Sequence, residues 1–139
     1  MPTVISLDAD WYYFPTADRD EVYGGSELDE TSWDALPMLQ ELSLDVLRFY
    51  GYLHLKRRFD LEPIGEVCVR LYLEISALPP GADVYVNGWH VGQGDGQHSL
   101  RADVTDYVSL ENNIMLIKLK RKAAPLGTVV IRSVPCESL

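Results

Sequence analysis

From about Gly51 onward the chain runs in short stretches of β-branched, aromatic and other apolar residues alternating with polar ones, each closed by Gly, Pro, Asn or Asp. A period of two fits extended strands and conflicts with the helical period, so the pattern points to an all-β sandwich or barrel rather than βαβ units. Val67 to Ile75 is the clearest case: Val67, Val69, Leu71, Leu73 and Ile75 fall on one face, and Cys68, Arg70, Tyr72 and Glu74 on the other. Such a strand turns one side to a core. Asp83-Val84-Tyr85-Val86 then meets Asn87-Gly88, a pair that tolerates positive φ and suits a type I′ hairpin turn, with Trp89-His90-Val91 returning antiparallel. Further strands are expected at Tyr52–Phe59, Ser99–Asp103, Ile114–Lys120 and Thr128–Val134, and Trp11 to Phe14 adds one near the start. The count is about eight strands, enough to close one core.

At 139 residues the chain is expected to form one domain, 1–139, with an irregular acidic part over 1–50 and the main strands over 51–139. Within 1–50, Asp18 to Thr31 reads as an acidic loop, and Pro37 to Phe49 as room for one short helical turn. The net charge of −9 is uneven, because residues 1–45 hold 11 acids and one base while 46–139 hold 10 acids and 11 bases. An acidic chain has no general attraction for phosphate backbones, so nucleic acid is not an expected partner. No apolar run is long enough to span a bilayer, and Met1 to Asp10 lacks the basic start of a secretory signal. The expected address is therefore cytoplasmic, without membrane association. Cys68 and Cys136 are too few for a disulfide framework or a structural zinc site, and Cys68, inside an apolar run, is expected to be a buried free thiol.

The order of segments resembles the N-terminal jelly-roll domain of family 2 glycoside hydrolases, the beta-galactosidase and beta-glucuronidase group. Trp11 to Phe14 is similar to that domain's W-x-F strand, and Asp29 to Pro37 resembles its D-x-x-S-W-x-x-L-P segment. Tyr52 to Leu61 looks like its Y-R-R-x-F-x-L strand, and Val84 to Gly92 like its V-x-V-N-G-x-x-V-G hairpin. Asp103-Val104-Thr105-Asp106 matches its D-V-T-D turn, and Glu111-Asn112-Asn113 its G-E-N-x-L approach to a late strand. The resemblance implies a jelly-roll β-sandwich of the galactose-binding-like class, with Trp11 and Trp33 packed inside. It also implies that the catalytic glutamates belong to a separate barrel domain, so no enzymatic activity is expected of this chain. The loop after the hairpin departs from the family pattern. Gly94 stands at the family's His position and His98 at its Tyr position, in a segment about one residue shorter, which weakens any inherited sugar contact.

Glycoside hydrolysis needs two carboxyl groups set across the bond, and the acids from Asp18 to Asp34 supply the groups without fixing a geometry; a solvated acidic face is the simpler reading. Asp18 and Asp20 begin like a calcium loop, but Val22 and Tyr23 break the pattern, so a structural calcium is considered and not favoured. His54, His90 and His98 lack zinc-ligand spacing, and no cofactor is expected. Gly92, Gly94 and Gly96 follow a hairpin rather than opening a helix and read as loop-formers, while Gly24-Gly25-Ser26-Glu27-Leu28 lacks the last Gly of a nucleophile elbow. Lys118 and Lys120 should share an outward, solvated or internally paired face.

Sugar recognition requires an aromatic ring against a pyranose face and polar groups for its hydroxyls. Trp89, Gln93, Asp95, Gln97 and His98 bring those residue types together in one stretch and form the candidate ligand-binding set. The expected function is a non-catalytic carbohydrate-binding module or accessory domain. The alternative is a protein-interaction domain that keeps the sandwich and has lost sugar binding.

Overall fold

The computed structural model describes residues 4–16, 34–38, 52–61, 68–95, 99–120 and 127–136, and these form two antiparallel sheets packed as a sandwich. The strands in chain order are β1 (Val4–Ser6), β2 (Ala9–Thr16), β3 (Asp34–Met38), β4 (Tyr52–Phe59), β5 (Val69–Ile75), β6 (Asp83–Val86), β7 (Trp89–Gln93), β8 (Leu100–Asp103), β9 (Asn113–Lys120) and β10 (Val129–Pro135). One sheet has the order β1-β10-β5-β8 and the other β3-β2-β4-β9-β6-β7. The all-β sandwich is as expected, consistent with a jelly roll. β1 and β3 are additional to the strands anticipated. β3 buries only Leu36 and contains Pro37, which an edge strand tolerates, so Pro37 and Met38 belong to a strand, while the rest of the stretch to Phe49, expected to leave room for a helical turn, lies outside the described residues.

Alternation sets the core. Leu53 and Leu55 of β4, Val84 and Val86 of β6, and Met115, Ile117 and Leu119 of β9 face Leu73 and Ile75 of β5 and Val129 and Ile131 of β10. Trp11 joins them at 1% exposure, and its indole N–H donates to the Leu7 carbonyl, which satisfies the ring's polar atom inside the core. Trp33 lies outside the described residues.

Two expectations are corrected here, the first only in its solvated alternative. Lys118 does face away from the core between the sheets, yet it is 3% exposed, alongside fully buried His54 and Lys56 on the same face of the six-stranded sheet. Its Nζ stands 5.0 Å from the centroid of the Tyr85 ring, while Leu116 packs with Tyr12, Phe14 and Tyr85. Strand alternation tells which side a residue takes; it does not tell whether that side meets water.

The second correction concerns the cysteines, which are joined in a disulfide with their Cα atoms 5.5 Å apart. The antiparallel register of β5 and β10 pairs Val69 with Pro135, and one step beyond it Cys68 comes opposite Cys136, whose N–H donates to the Cys68 carbonyl at 3.0 Å. The free-thiol reading fails because residues 68 apart in sequence become direct cross-strand neighbours.

Asn87 and Gly88 have φ of 50° and 86°, as a type I′ turn requires. A side chain at Gly88 would enter open space, so Gly88→Val tests the backbone alone. It should cost about 1–3 kcal/mol, read as a lowered melting temperature. An unchanged melting temperature would show that the hairpin does not depend on positive φ there.

Candidate functional site

The Asn87-Gly88 turn is pinned to the neighbouring loop by a network of amides. The Asn87 backbone N–H donates to the Ile114 carbonyl at 2.8 Å, and its Oδ1 accepts the Ile114 N–H at 2.8 Å. Its Nδ2 donates to the Tyr107 carbonyl at 2.6 Å and to Asn113 Oδ1 at 3.0 Å. Asn113 is fully buried, accepts the Ser109 N–H at 2.8 Å and donates to the carbonyls of Ser109 at 2.8 Å and Phe59 at 3.3 Å. Buried amides satisfied on both sides hold a loop in one conformation.

The start of the same loop is fixed by Asp103-Val104-Thr105-Asp106. Asp103 Oδ1 accepts the Thr105 N–H at 3.0 Å and its hydroxyl at 2.6 Å, and the Thr105 oxygen in turn accepts the Leu71 N–H at 2.8 Å. Arg70 donates through Nε and Nη2 to Asp103 Oδ2 at 2.9 and 2.8 Å. Burial pushes the Asp103 carboxyl up, but the two Thr105 bonds and Arg70 outweigh it and hold the group below its ordinary value. The hydrogen bond to Asp103 raises the Arg70 guanidinium. These motif residues are thus explained by turn construction.

What the two pinned segments present is an aromatic pair. Trp89, the first residue of edge strand β7, is 61% exposed and stacks on Tyr107, with ring centroids 5.6 Å apart and planes 25° from parallel. Leu110 of the same loop is also exposed.

Of the rest of the candidate set, Gln93 and Asp95 lie toward the far end of β7. Gln93 ends β7, so the strand rise of about 3.3 Å per residue carries it about 13 Å from Trp89, and Asp95 farther still. Gly94 is tied to the turn before β6: it donates to the Ala82 carbonyl at 2.8 Å and accepts the Gly81 N–H at 3.0 Å. A Cβ on Gly94 would collide with the Pro79 carbonyl, and one on Gly92 with the Leu100 side chain, so both glycines serve close packing. Gln97 and His98 lie outside the described residues, as does the acidic segment from Asp18 to Asp29 weighed for calcium or catalysis. The structure therefore separates Trp89 from Gln93 and Asp95 and gives it Tyr107 instead. Tyr107 was recognisable only through its position just after the D-V-T-D turn.

His90 Nε2 lies 3.0 Å from Asp83 Oδ1, and the His90 ring meets Tyr85 edge-on. Among the described residues no three His, Cys, Asp or Glu side chains converge as metal ligands.

No protein-family profile matches the chain, and a search of curated proteins finds no match. Solved structures do match. A beta-glucuronidase of Bacteroides uniformis superposes with a TM-score of 0.76 at 17% identity, over 97% of this chain and 18% of that one. A family 2 glycosyl hydrolase of Bacteroides cellulosilyticus gives 0.72 at 17% identity, over 95% of this chain and 21% of that one. The beta-glucuronidase of Faecalibacterium prausnitzii gives 0.75 at 16% identity, over 97% and 32%. At these identities the likeness establishes the fold. The chain spans between about a fifth and a third of the length of these enzymes.

Proposed function

Proceeding from a sandwich fold that family 2 glycoside hydrolases also contain, we propose that this chain is a non-catalytic carbohydrate-binding or accessory domain in which the Trp89 ring is the stacking surface for a pyranose. The observation that carries the reading is the Trp89–Tyr107 pair, a broad aromatic face left open to solvent although the buried Asn113 amide and half-buried Asn87 tie its two supports together. Preorganised exposed rings suit the apolar face of a sugar, because ordering them on binding costs little further entropy.

The non-catalytic half of the proposal draws on the carboxylates. Glu74 is bound by Arg101 and Arg132, Asp103 by Arg70 and Thr105, and Asp83 by His90, while Asp60 and Asp8 accept the backbone N–H groups of Asn112 and Val129. Each of these has a structural task. The disulfide also bears on location: the expected cytoplasmic address is a reducing one, whereas a Cys68–Cys136 bond favours an oxidising compartment.

Trp89→Ala should weaken binding to a neutral glycan selected on an array at least about tenfold while leaving the melting temperature nearly unchanged, since a rim residue contributes to the complex and little to the core. Titration calorimetry reads the first quantity and calorimetric unfolding the second. Undiminished affinity would dismiss the Trp89 platform. Absence of any glycan binding by the wild-type chain would favour the protein-interaction reading, for which exposed Trp89, Tyr107 and Leu110 supply an apolar patch.

A further inference from the structure

The outward face of the four-stranded sheet carries a groove of about 410 Å³ that none of the preceding residues explains. Its floor comes from three neighbouring strands, β10, β5 and β8. Glu74 of β5 lies opposite Val130 on one side and Arg101 on the other, and Arg132 is two residues along β10 from Val130. Both arginines close on the same carboxylate: Arg132 Nε donates to Oε1 at 2.8 Å and Arg101 Nε to Oε2 at 3.3 Å.

Each guanidinium uses only its Nε in this way. Neither Nη group of Arg101 or Arg132 makes a further hydrogen bond among the described residues, so each arginine keeps four N–H donors in a planar fork. The Tyr72 ring fixes the plane of one fork, with the Arg101 guanidinium carbon 4.0 Å from its centroid. Two cations and one anion leave the groove a net charge of +1. Ser76, Ser99 and Thr128 add hydroxyls to its lining, beside the Val130 side chain on the same outward face as Glu74, Arg101 and Arg132.

We infer that this groove is a binding site for a carboxylate-bearing sugar, a hexuronate residue of a glycan. A planar carboxylate matches a guanidinium fork bidentately, and the single carboxylate of one hexuronate residue in the groove balances its net charge. The hydroxyls and the Val130 side chain serve the ring, and the volume lies in the range of about 300–1,000 Å³ usual for small-ligand sites. The site shares only its ligand class with the Trp89 platform: its residues are on the other sheet.

Digalacturonate is the probe, titrated calorimetrically at low ionic strength, with the neutral disaccharide galactobiose and inorganic sulfate as comparisons. The wild-type chain should bind digalacturonate and prefer it at least tenfold over galactobiose. The double variant Arg101→Gln, Arg132→Gln should lose at least tenfold in affinity for digalacturonate. Glu74→Gln should gain several-fold, because it releases both forks, and a gain cannot arise from misfolding. The same titrations repeated in a Trp89→Ala background should keep the loss on replacing Arg101 and Arg132, so the platform and the groove fail separately. No binding by the wild-type chain, undiminished binding by the double variant in either background, weakened binding in Glu74→Gln, or sulfate competing as well as the sugar would each overturn the inference.

Discussion

Replacing Cys68 and Cys136 together by alanine should lower the unfolding free energy by about 4 kcal/mol, the loop-closure entropy expected for a cross-link spanning 68 residues. The bond joins the ends of two strands already paired in register, so its removal leaves the native sheet intact and acts mainly by widening the unfolded ensemble. Urea unfolding of the oxidised protein, the same protein with dithiothreitol, and the double variant should give one high midpoint and two similar low ones. Equal midpoints for all three would show that the cross-link constrains nothing the folded sheet does not already supply.

Asn113→Ala should cost about 1–3 kcal/mol, because it removes a buried amide whose partners, the Phe59 carbonyl among them, lose their hydrogen bonds in a part-buried setting. It strands the Ser109 N–H and carbonyl and one arm of Asn87, all grouped around a side chain with no exposure. Since the same amide holds the Tyr107 loop against the Asn87 turn, the variant should also change the fluorescence of Trp89. A loss below about 0.5 kcal/mol would mean that water replaces the network without penalty.

Much of this architecture was legible in the chain. β4 falls at Tyr52–Phe59 as expected, and β9 and β10 differ by about one residue at their ends, because alternation and turn residues act locally. What escaped depends on which strands become neighbours. Cys68 and Cys136 meet only through the β5–β10 register, and Lys118 is buried only because the outward face of its sheet is closed. The spread of Trp89 and Gln93 has the opposite reason. Trp89 and Gln93 are close in sequence, but an extended strand places them at its two ends, while Tyr107 arrives from a loop more than a dozen residues away.

The outer strands limit how any partner can approach. Among the described strands the sheets end at β1, β8, β3 and β7. β1 is only three residues long, β8 carries Arg101 and Asp103, β3 contains Pro37, and β7 is interrupted where its register against β6 slips by one at Val91. Short length, charge, proline and a bulge each discourage another chain from extending a sheet by backbone pairing. A peptide seeking to add itself as a further strand finds no smooth template here, so recognition is left to side chains. That favours ligands read by ring stacking and ionic forks, and it lets such a domain sit beside other sandwiches at high concentration without zipping onto them.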